Sequence, residues 1–477
     1  MLKKMLIYVL ILNILFISTC YAEAEYDGYI VKFRESDEVA LFAATNTDND
    51  LIAINASKNL YMADSAEEAE RYTDAGIAEY VEPNYIVTLF DNLFSPADKR
   101  YPGYQYGALA TYASSAWNMG IFGNDVIIGC IDSGVYPHND LVNNTFQGYD
   151  YTVDDSICSN GADCTDTACA HYTPTDTYGH GTFCAGIMVA EANTTDIIGI
   201  TPAAKLVPLR TFVEKNGTIS DIAAAIYAAA DKYGCDVINM SFGLETNSAT
   251  LRNAIAYAKS KNVLMVAAAG NSNKNVTNYP GGYDGVICVG SVTASGEKSS
   301  FSNYGSYVTL SAPGTGIYSC SLATSGTRSD SGTSFSTPYV SSAAAICRML
   351  EPDMTYEEFE TLLASTCKPY ADDFAYELGY GILNIENIVN SLMKDKENYF
   401  SPISRLNGET FRIITNFSET DMTFANLWKS GNAFEYNNVT VSANSGYRTD
   451  FSGEGDSFVN YIWESILNLK PINKAEY

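Results

Sequence analysis

The stretch Val126-Ile-Ile-Gly-Cys-Ile-Asp-Ser-Gly-Val135 decides how this 477-residue chain is built. From Val126 to Ile131 it is apolar or glycine, without the alternation of a strand that has one wet face. It therefore predicts a strand buried on both faces, as in parallel sheets. Asp132 ends the run, and in open α/β sheets ligands bind beyond the carboxyl ends of the strands. Asp before Ser-Gly also suits a plain turn, so the frames downstream must decide between the two.

Two such frames follow. Tyr178-Gly-His-Gly-Thr-Phe-Cys-Ala-Gly186 sets an imidazole between glycines, just before a helix-forming apolar run. Ser331-Gly-Thr-Ser-Phe-Ser-Thr-Pro338 sets a hydroxyl, Ser334, ahead of a helical run in which Pro338 falls in the first turns, where proline is tolerated. Of the three histidines, His138 follows a proline in a turn and His171 lies in a polar loop, so only His180 reads as chemical. A serine hydroxyl needs a neutral imidazole to take its proton and a carboxylate to fix the tautomer. Ser334 could be an ordinary N-cap, but that role does not need Gly332-Thr333 before it and Ser336-Thr337-Pro338 after it. Ser336 stands where Gly-x-Ser-x-Gly has its second glycine, which counts against an α/β-hydrolase elbow, and the chain order Asp, His, Ser is that of subtilisin.

These frames resemble those of the subtilisin-like serine proteases, or subtilases, over roughly Tyr106 to Leu392. The resemblance implies that Ser334 attacks a scissile carbonyl, His180 shuttles the proton and Asp132 orients His180. Asn271, ending Val263-Leu-Met-Val-Ala-Ala-Ala-Gly-Asn, would form an oxyanion hole with the Ser334 N–H. Ser241, Phe242 and Gly243, with Ala268, Ala269 and Gly270, are the expected cleft segments, pairing with extended peptide as an added strand. Asn278-Tyr-Pro-Gly-Gly resembles the wall of the S1 pocket. No acid stands at Ser272 or Asn278, so a broad, apolar P1 preference is expected. Asp140 and Asn193 match positions that ligate a structural Ca2+ in the family, although the glutamine that some relatives supply near the mature N-terminus is not evident.

The balance of 56 acidic against 28 basic residues gives a formal charge of -28. It argues against nucleic acid and against anionic membrane surfaces as partners. Met1-Leu-Lys-Lys, an apolar Met5 to Ile17 and Cys20-Tyr-Ala22 read as a secretory signal over 1–22, implying a secreted, extracellular protein, and no later stretch is long and apolar enough to span a membrane. Of eleven cysteines, ten follow Cys20, an even number suited to disulfides in an oxidising space. Cys158, Cys164 and Cys169 crowd a polar insertion and are the best candidates for bridges. Cys130, Cys184, Cys235, Cys288 and Cys347 sit in apolar frames and read as buried thiols.

Residues 23–90 resemble the inhibitory propeptide of subtilases, a small α+β domain that would act as an intramolecular inhibitor, joined by a cleavable linker at 91–105. From Asn124 onward, a strand at Leu206 to Val213, a helix at Ser220 to Tyr233, a strand at Val237 to Phe242 and a helix at Ser248 to Ser260 alternate. They predict an α/β protease domain over 106–392, with a mostly parallel sheet covered by helices on both faces. Residues 393–477 read as a small β-rich accessory domain. The expectation is a monomeric, exported serine endopeptidase acting on peptides or proteins. A maturation protease for one exported peptide differs from it only in substrate; a non-catalytic scaffold with a protease fold is disfavoured by the presence of all four catalytic positions.

Overall fold

The computed structural model describes residues 26–34, 51–55, 60–63, 65, 71–73, 75, 77–85, 94–153, 170–370, 378–394, 396, 398–402, 404–406, 409–416, 422–430, 433–441, 445–451, 459–463 and 471–476. The expected signal segment and Cys158, Cys164 and Cys169 lie outside them. The chain divides into two units, Met1–Asp91 and Asn92–Tyr477.

In the first unit, strands β1 (Tyr26–Phe33), β2 (Leu51–Asn55), β3 (Leu60–Ala63) and β4 (Ala78–Tyr85) form an antiparallel sheet ordered β2-β3-β1-β4. Val31, Phe33 and Ala63 make its small core with Tyr72, whose ring meets that of Phe33 edge-on.

The second unit opens with two short helices, α1 (Tyr106–Ala110) and α2 (Ala113–Asn118). A seven-stranded sheet follows, built from β5 (Ile127–Asp132), β6 (Tyr149–Asp150), β7 (Lys205–Arg210), β10 (Val237–Met240), β11 (Leu264–Ala268), β12 (Val286–Val292) and β13 (Leu310–Pro313). All its pairings are parallel, in the order β13-β12-β11-β10-β5-β7-β6. Every residue of β11 and β12 is buried, because both faces of the sheet are covered. On one face lie α3 (His180–Val189) and α6 (Thr333–Leu350); on the other lie α4 (Ile219–Asp231) and α5 (Ala249–Ser260). After His180 every residue of α3 is buried, so this helix is apolar all round. Burying Phe183 alone contributes roughly 1.5–3 kcal/mol.

The helix starts follow local capping. Thr218 accepts from the Asp221 N–H and Ser248 from the Leu251 N–H, which sets α4 and α5 one residue after each cap. The strand expected over Leu206 to Val213 breaks after Arg210, where its partner β5 ends; the last rung runs from the Thr211 N–H to the Asp132 carbonyl at 2.9 Å. Beyond the break, β8 (Phe212–Val213) and β9 (Asn216–Gly217) form a hairpin at the sheet's carboxyl edge. A second hairpin, β14 (Ile317–Cys320) and β15 (Thr327–Asp330), leads into α6. Helices α7 (Tyr356–Thr366) and α8 (Ile385–Met393) close this part of the unit.

The segment expected as a cleavable linker is packed over its described residues. Phe94 is buried against Phe122, and Gln105 exchanges hydrogen bonds with the Ile198 backbone. After residue 393, strands β16 (Asn398–Phe400), β17 (Ser404–Leu406), β18 (Glu409–Asn416) and β21 (Ser445–Phe451) make one antiparallel sheet. Strands β19 (Met422–Ser430), β20 (Ala433–Val441), β22 (Val459–Trp463) and β23 (Pro471–Glu476) make another. Leu406 and Ile413 join the main core, so the first of these sheets is packed onto the α/β body. Among the described residues no helix is long and apolar enough to cross a membrane.

Candidate active site

Asp132 is the last residue of β5 and is buried; one of its oxygens accepts the Ser133 N–H at 2.7 Å. His180 is the first residue of α3, and its Nδ1 lies 2.8 and 2.9 Å from the two Asp132 carboxylate oxygens. A ring nitrogen that close to a carboxylate carries the proton, which leaves Nε2 as the acceptor of the neutral ring. Gly181 permits the approach, since a Cβ there would run into the Gly134 carbonyl and crowd the Asp132 side chain.

Asp176, which the sequence reading did not single out, organises this corner. One oxygen accepts from the Ser133 hydroxyl, the Tyr178 N–H and the Gly179 N–H; the other accepts from the Thr182 N–H and hydroxyl, all between 2.6 and 3.0 Å. It thus fills orphan donors at the start of α3 with a carboxylate, where the helix dipole favours one. The Ser133 hydroxyl in turn accepts the Gly181 N–H at 3.0 Å. Burial pulls the His180 pKa down, but the charge and hydrogen bond of Asp132, with the charge of Asp176, raise it further, and it ends above 6.5. Cys184, in the same helix, is buried, and burial drives its thiol well up, so it stays a neutral thiol. Cys130, Cys235, Cys288 and Cys347 are likewise buried free thiols.

Ser334 is the second residue of α6, and Gly332 rather than Ser334 is the capping position. Its hydroxyl donates to the Ser241 carbonyl at 2.9 Å, while the Ser241 hydroxyl donates to the Ser334 carbonyl at 2.7 Å. Behind this reciprocal pair, Asn239 donates to the Ser241 hydroxyl and accepts from Ser341, all three residues being buried. The serine is thus held at the helix start with its hydroxyl on Ser241 rather than on the imidazole.

Asn271 follows Gly270, whose φ of +104° suits glycine. Its Oδ1 accepts from the Thr333 N–H at 2.8 Å and from the Thr333 hydroxyl at 3.0 Å, which leaves Nδ2 as the donor of the amide. The Ala269 carbonyl accepts from Asn278, Asn303 and the Tyr307 hydroxyl, between 3.0 and 3.2 Å, and so fixes this turn. The Ala269 side chain, one residue past β11, lies in a small cluster with Cys288 and Val308 and does not line the cavity next to Ser334.

A cavity of about 270 Å³ next to Ser334 is lined by Phe242, Gly243, Ala268, Gly270, Asn271 and Asn278 among others. Glu245 also borders it, an acid that the sequence reading missed, with Lys274 4.0 Å away. A second cavity of about 160 Å³ lies beside His180, between Tyr178, Phe212, Ser241 and Phe242, with Glu214 and Lys215 at its rim. A larger hollow of about 400 Å³ among Tyr283, Tyr307, Tyr356 and Tyr380 includes none of the expected residues.

Asp140 and Asn193 sit together elsewhere in the unit, with a residue that the sequence did not reveal. Asp140 Oδ2 accepts the Ile197 N–H at 3.1 Å, Asn193 donates to the Asn139 carbonyl at 3.4 Å, and Asp98 Oδ1 accepts the Asn193 N–H at 3.2 Å. The other oxygens, Asp98 Oδ2 and Asp140 Oδ1, are buried with no hydrogen-bond partner among the described residues. Burial, with the charge of Asp140, pushes the Asp98 pKa up to about 7, and burial raises Asp140 as well. Two buried carboxylates with bare oxygens are costly unless a cation shares them, and an all-oxygen set suits a hard ion. His138 and His171 are buried; His138 bonds the Gly326 carbonyl, and His171 stacks on Tyr149 and bonds the Asp150 carbonyl.

An acid and an imidazole are thus paired at the carboxyl edge of a doubly covered parallel sheet. The profile of the subtilase family matches residues 123–382, and the chain belongs to that family, whose members here are serine endopeptidases. It is 40% identical over 276 residues to the thermophilic serine proteinase of Bacillus sp. (strain AK1), covering 57% of this chain and 63% of that protein. It is 37% identical to thermitase of Thermoactinomyces vulgaris, over 53% of this chain and 85% of thermitase. A protease structure from Pseudoalteromonas arctica superposes with a TM-score of 0.57 at 29% identity, covering 63% of this chain and all of that one.

Proposed function

We propose that the protein is an exported endopeptidase in which Ser334 attacks the scissile carbonyl and Nε2 of His180 takes its proton. Asp132 fixes the His180 tautomer, and Asn271 Nδ2 with the Ser334 N–H stabilises the oxyanion. The observation that carries the reading is the close contact of His180 Nδ1 with both Asp132 oxygens, which leaves the other ring nitrogen for the serine. Attack then requires the Ser334 hydroxyl to turn from the Ser241 carbonyl toward His180, in line with catalytic contacts that tighten only once substrate is bound. Extended peptide would lie along Ser241 to Gly243 and Ala268 to Gly270. The cavity next to Ser334 would take an apolar P1 side chain, with Glu245 and Lys274 balancing each other at its mouth.

Asp98, Asp140 and Asn193 would hold a structural Ca2+, which supplies charge balance and no reaction step. Residues 1–22 would direct export, and residues 23–90 would be an inhibitory propeptide released by self-cleavage before the packed Phe94. The test is expression of the full chain beside Ser334→Ala, with casein hydrolysis and the mass of the product as readouts. The variant should retain its N-terminal segment and lose turnover on the order of 10⁶-fold, as for the matching serine of subtilisin. Self-cleavage or near-normal hydrolysis by the variant would remove Ser334 from the mechanism.

A further inference from the structure

Arg328, on the return strand β15, touches both halves of the site. Its Nη2 donates to the Gly179 carbonyl at 3.1 Å, immediately before His180. Its Nη1 lies 2.5 Å from the Asp330 carboxylate, whose other oxygen accepts the Ser331 N–H at 2.8 Å, three residues before Ser334. The guanidinium lies 4.7 Å over the Phe183 ring; Phe183 packs on Phe335 at 4.3 Å, and Phe335 meets the His180 ring at 5.4 Å. The hairpin behind it is anchored: the Gly326 N–H donates to Asp196 at 2.6 Å, the Gly326 carbonyl meets His138 Nε2 at 2.9 Å, and the Asn139 N–H donates to the Thr324 carbonyl at 2.7 Å.

We propose that Arg328 is a positioning residue for peptide-bond hydrolysis: it clasps the segment entering Ser334 to the residue preceding His180 and sets a positive charge against the imidazolium form. An ion pair as exposed as that of Arg328 and Asp330 adds little stability, so its effect lies in placement and charge. A planar fork satisfies two acceptors at once, which an ammonium cannot do in the same way. Around His180, Asp132 and Asp176 favour the charged ring and Arg328 disfavours it. The neighbouring Cys130 and Cys184 thiols stay neutral, and Glu214 and Lys215 share the adjoining cavity with opposite charges.

The inference rests on His180 being the base, and the experiment separates the two ideas. The full chain, allowed to process itself, is compared with Arg328→Met, Arg328→Lys and Asp330→Asn in hydrolysis of a phenylalanyl p-nitroanilide peptide across pH 5 to 10. Arg328→Met should lower kcat by about tenfold with KM nearly unchanged, since a small misplacement is enough for such a loss. It should also move the acid limb of kcat/KM up by roughly half a pH unit, because a nearby cation has been removed. Arg328→Lys should restore the limb but only part of kcat. Asp330→Asn should move the limb the other way, to lower pH, because the cation loses its counter-charge.

A wild-type kcat and limb in Arg328→Met would overturn the role of Arg328, as would limbs that move in the same direction in Arg328→Met and Asp330→Asn. If Arg328→Met does not fold, Arg328→Lys decides: a normal limb with reduced kcat upholds the proposal, and a wild-type kcat sinks it. A wild-type enzyme with no acid limb would instead overturn His180 as the base.

Discussion

Two pairs of buried carboxylates in the same unit are treated in opposite ways. Around the catalytic corner, the oxygens of Asp132 and Asp176 meet His180 Nδ1, backbone N–H groups and hydroxyls, so the chain itself supplies every partner. In the other cluster, Asp98 and Asp140 each keep one buried oxygen with nothing to accept from among the described residues. The first arrangement is finished by folding, which suits a base that must be aligned before substrate arrives. The second is left incomplete by the described residues, as the proposed Ca2+ site requires. On the proposed function, the contrast separates residues preorganised for chemistry from residues that an ion would complete.

The largest effect tests the finished pair. Asp132→Asn keeps the shape but offers an amide to Nδ1 and favours the wrong tautomer, so kcat should fall by about 10⁴-fold with folding intact. A loss of less than tenfold would mean that this pair is structural. The pH response comes next. Because the His180 pKa ends above 6.5 and the neutral ring is the working form, kcat/KM should be full above that pKa. Below it, kcat/KM should fall about tenfold per pH unit, so pH 5 should be at least some thirtyfold slower than pH 8. A flat profile over that range would break the assignment of the base.

The unfinished pair should respond in stability and not in chemistry. Stripping divalent cations with a chelator should lower Tm by roughly 3–5 °C if the ion is normally present at about a hundred times its Kd. Restoring Ca2+ should reverse the change, and Mg2+ should be the poorer substitute because it demands a tighter octahedral shell. An unchanged melting curve would show that the bare oxygens are satisfied in some other way.

The difference between the pairs also marks what could be read without coordinates. The strand before Asp132 was legible because a sheet covered on both faces leaves an unbroken apolar run, and the glycine-flanked frames of His180 and Ser334 marked the ends of helices. The contacts that complete the picture carry no local pattern. Asp98 meets Asn193 across 95 positions, and Arg328 meets Gly179 across 149, in segments that look like ordinary polar loops. Asp176 is only four residues from His180, but a lone aspartate before a helix is too common to single out. The strand expected to reach Val213 stops short for a tertiary reason, since its partner β5 ends at Asp132 and the chain beyond Thr211 leaves the sheet, with Phe212 walling the cleft. The helix expected to follow Ser334 begins instead at Thr333, because Gly332 takes the capping position.

The smallest expected effect is the most discriminating, because it changes sign. Asp98→Asn removes one negative charge from the unfinished pair while keeping its size and the oxygen that accepts from Asn193. Without a divalent cation, the wild-type protein must either bury two neighbouring charges or hold a proton there, as the raised pKa of Asp98 indicates. The variant is relieved of that strain and should melt higher than wild type in chelator, by an amount on the order of 1–3 kcal/mol. With Ca2+ present the order should invert, since the variant offers the ion a neutral ligand where the wild type offers a charged one. Melting curves of both proteins in both conditions are sufficient. Curves that keep the same order throughout would show that Asp98 is an ordinary buried acid and that the contrast with Asp132 and Asp176 has no functional content.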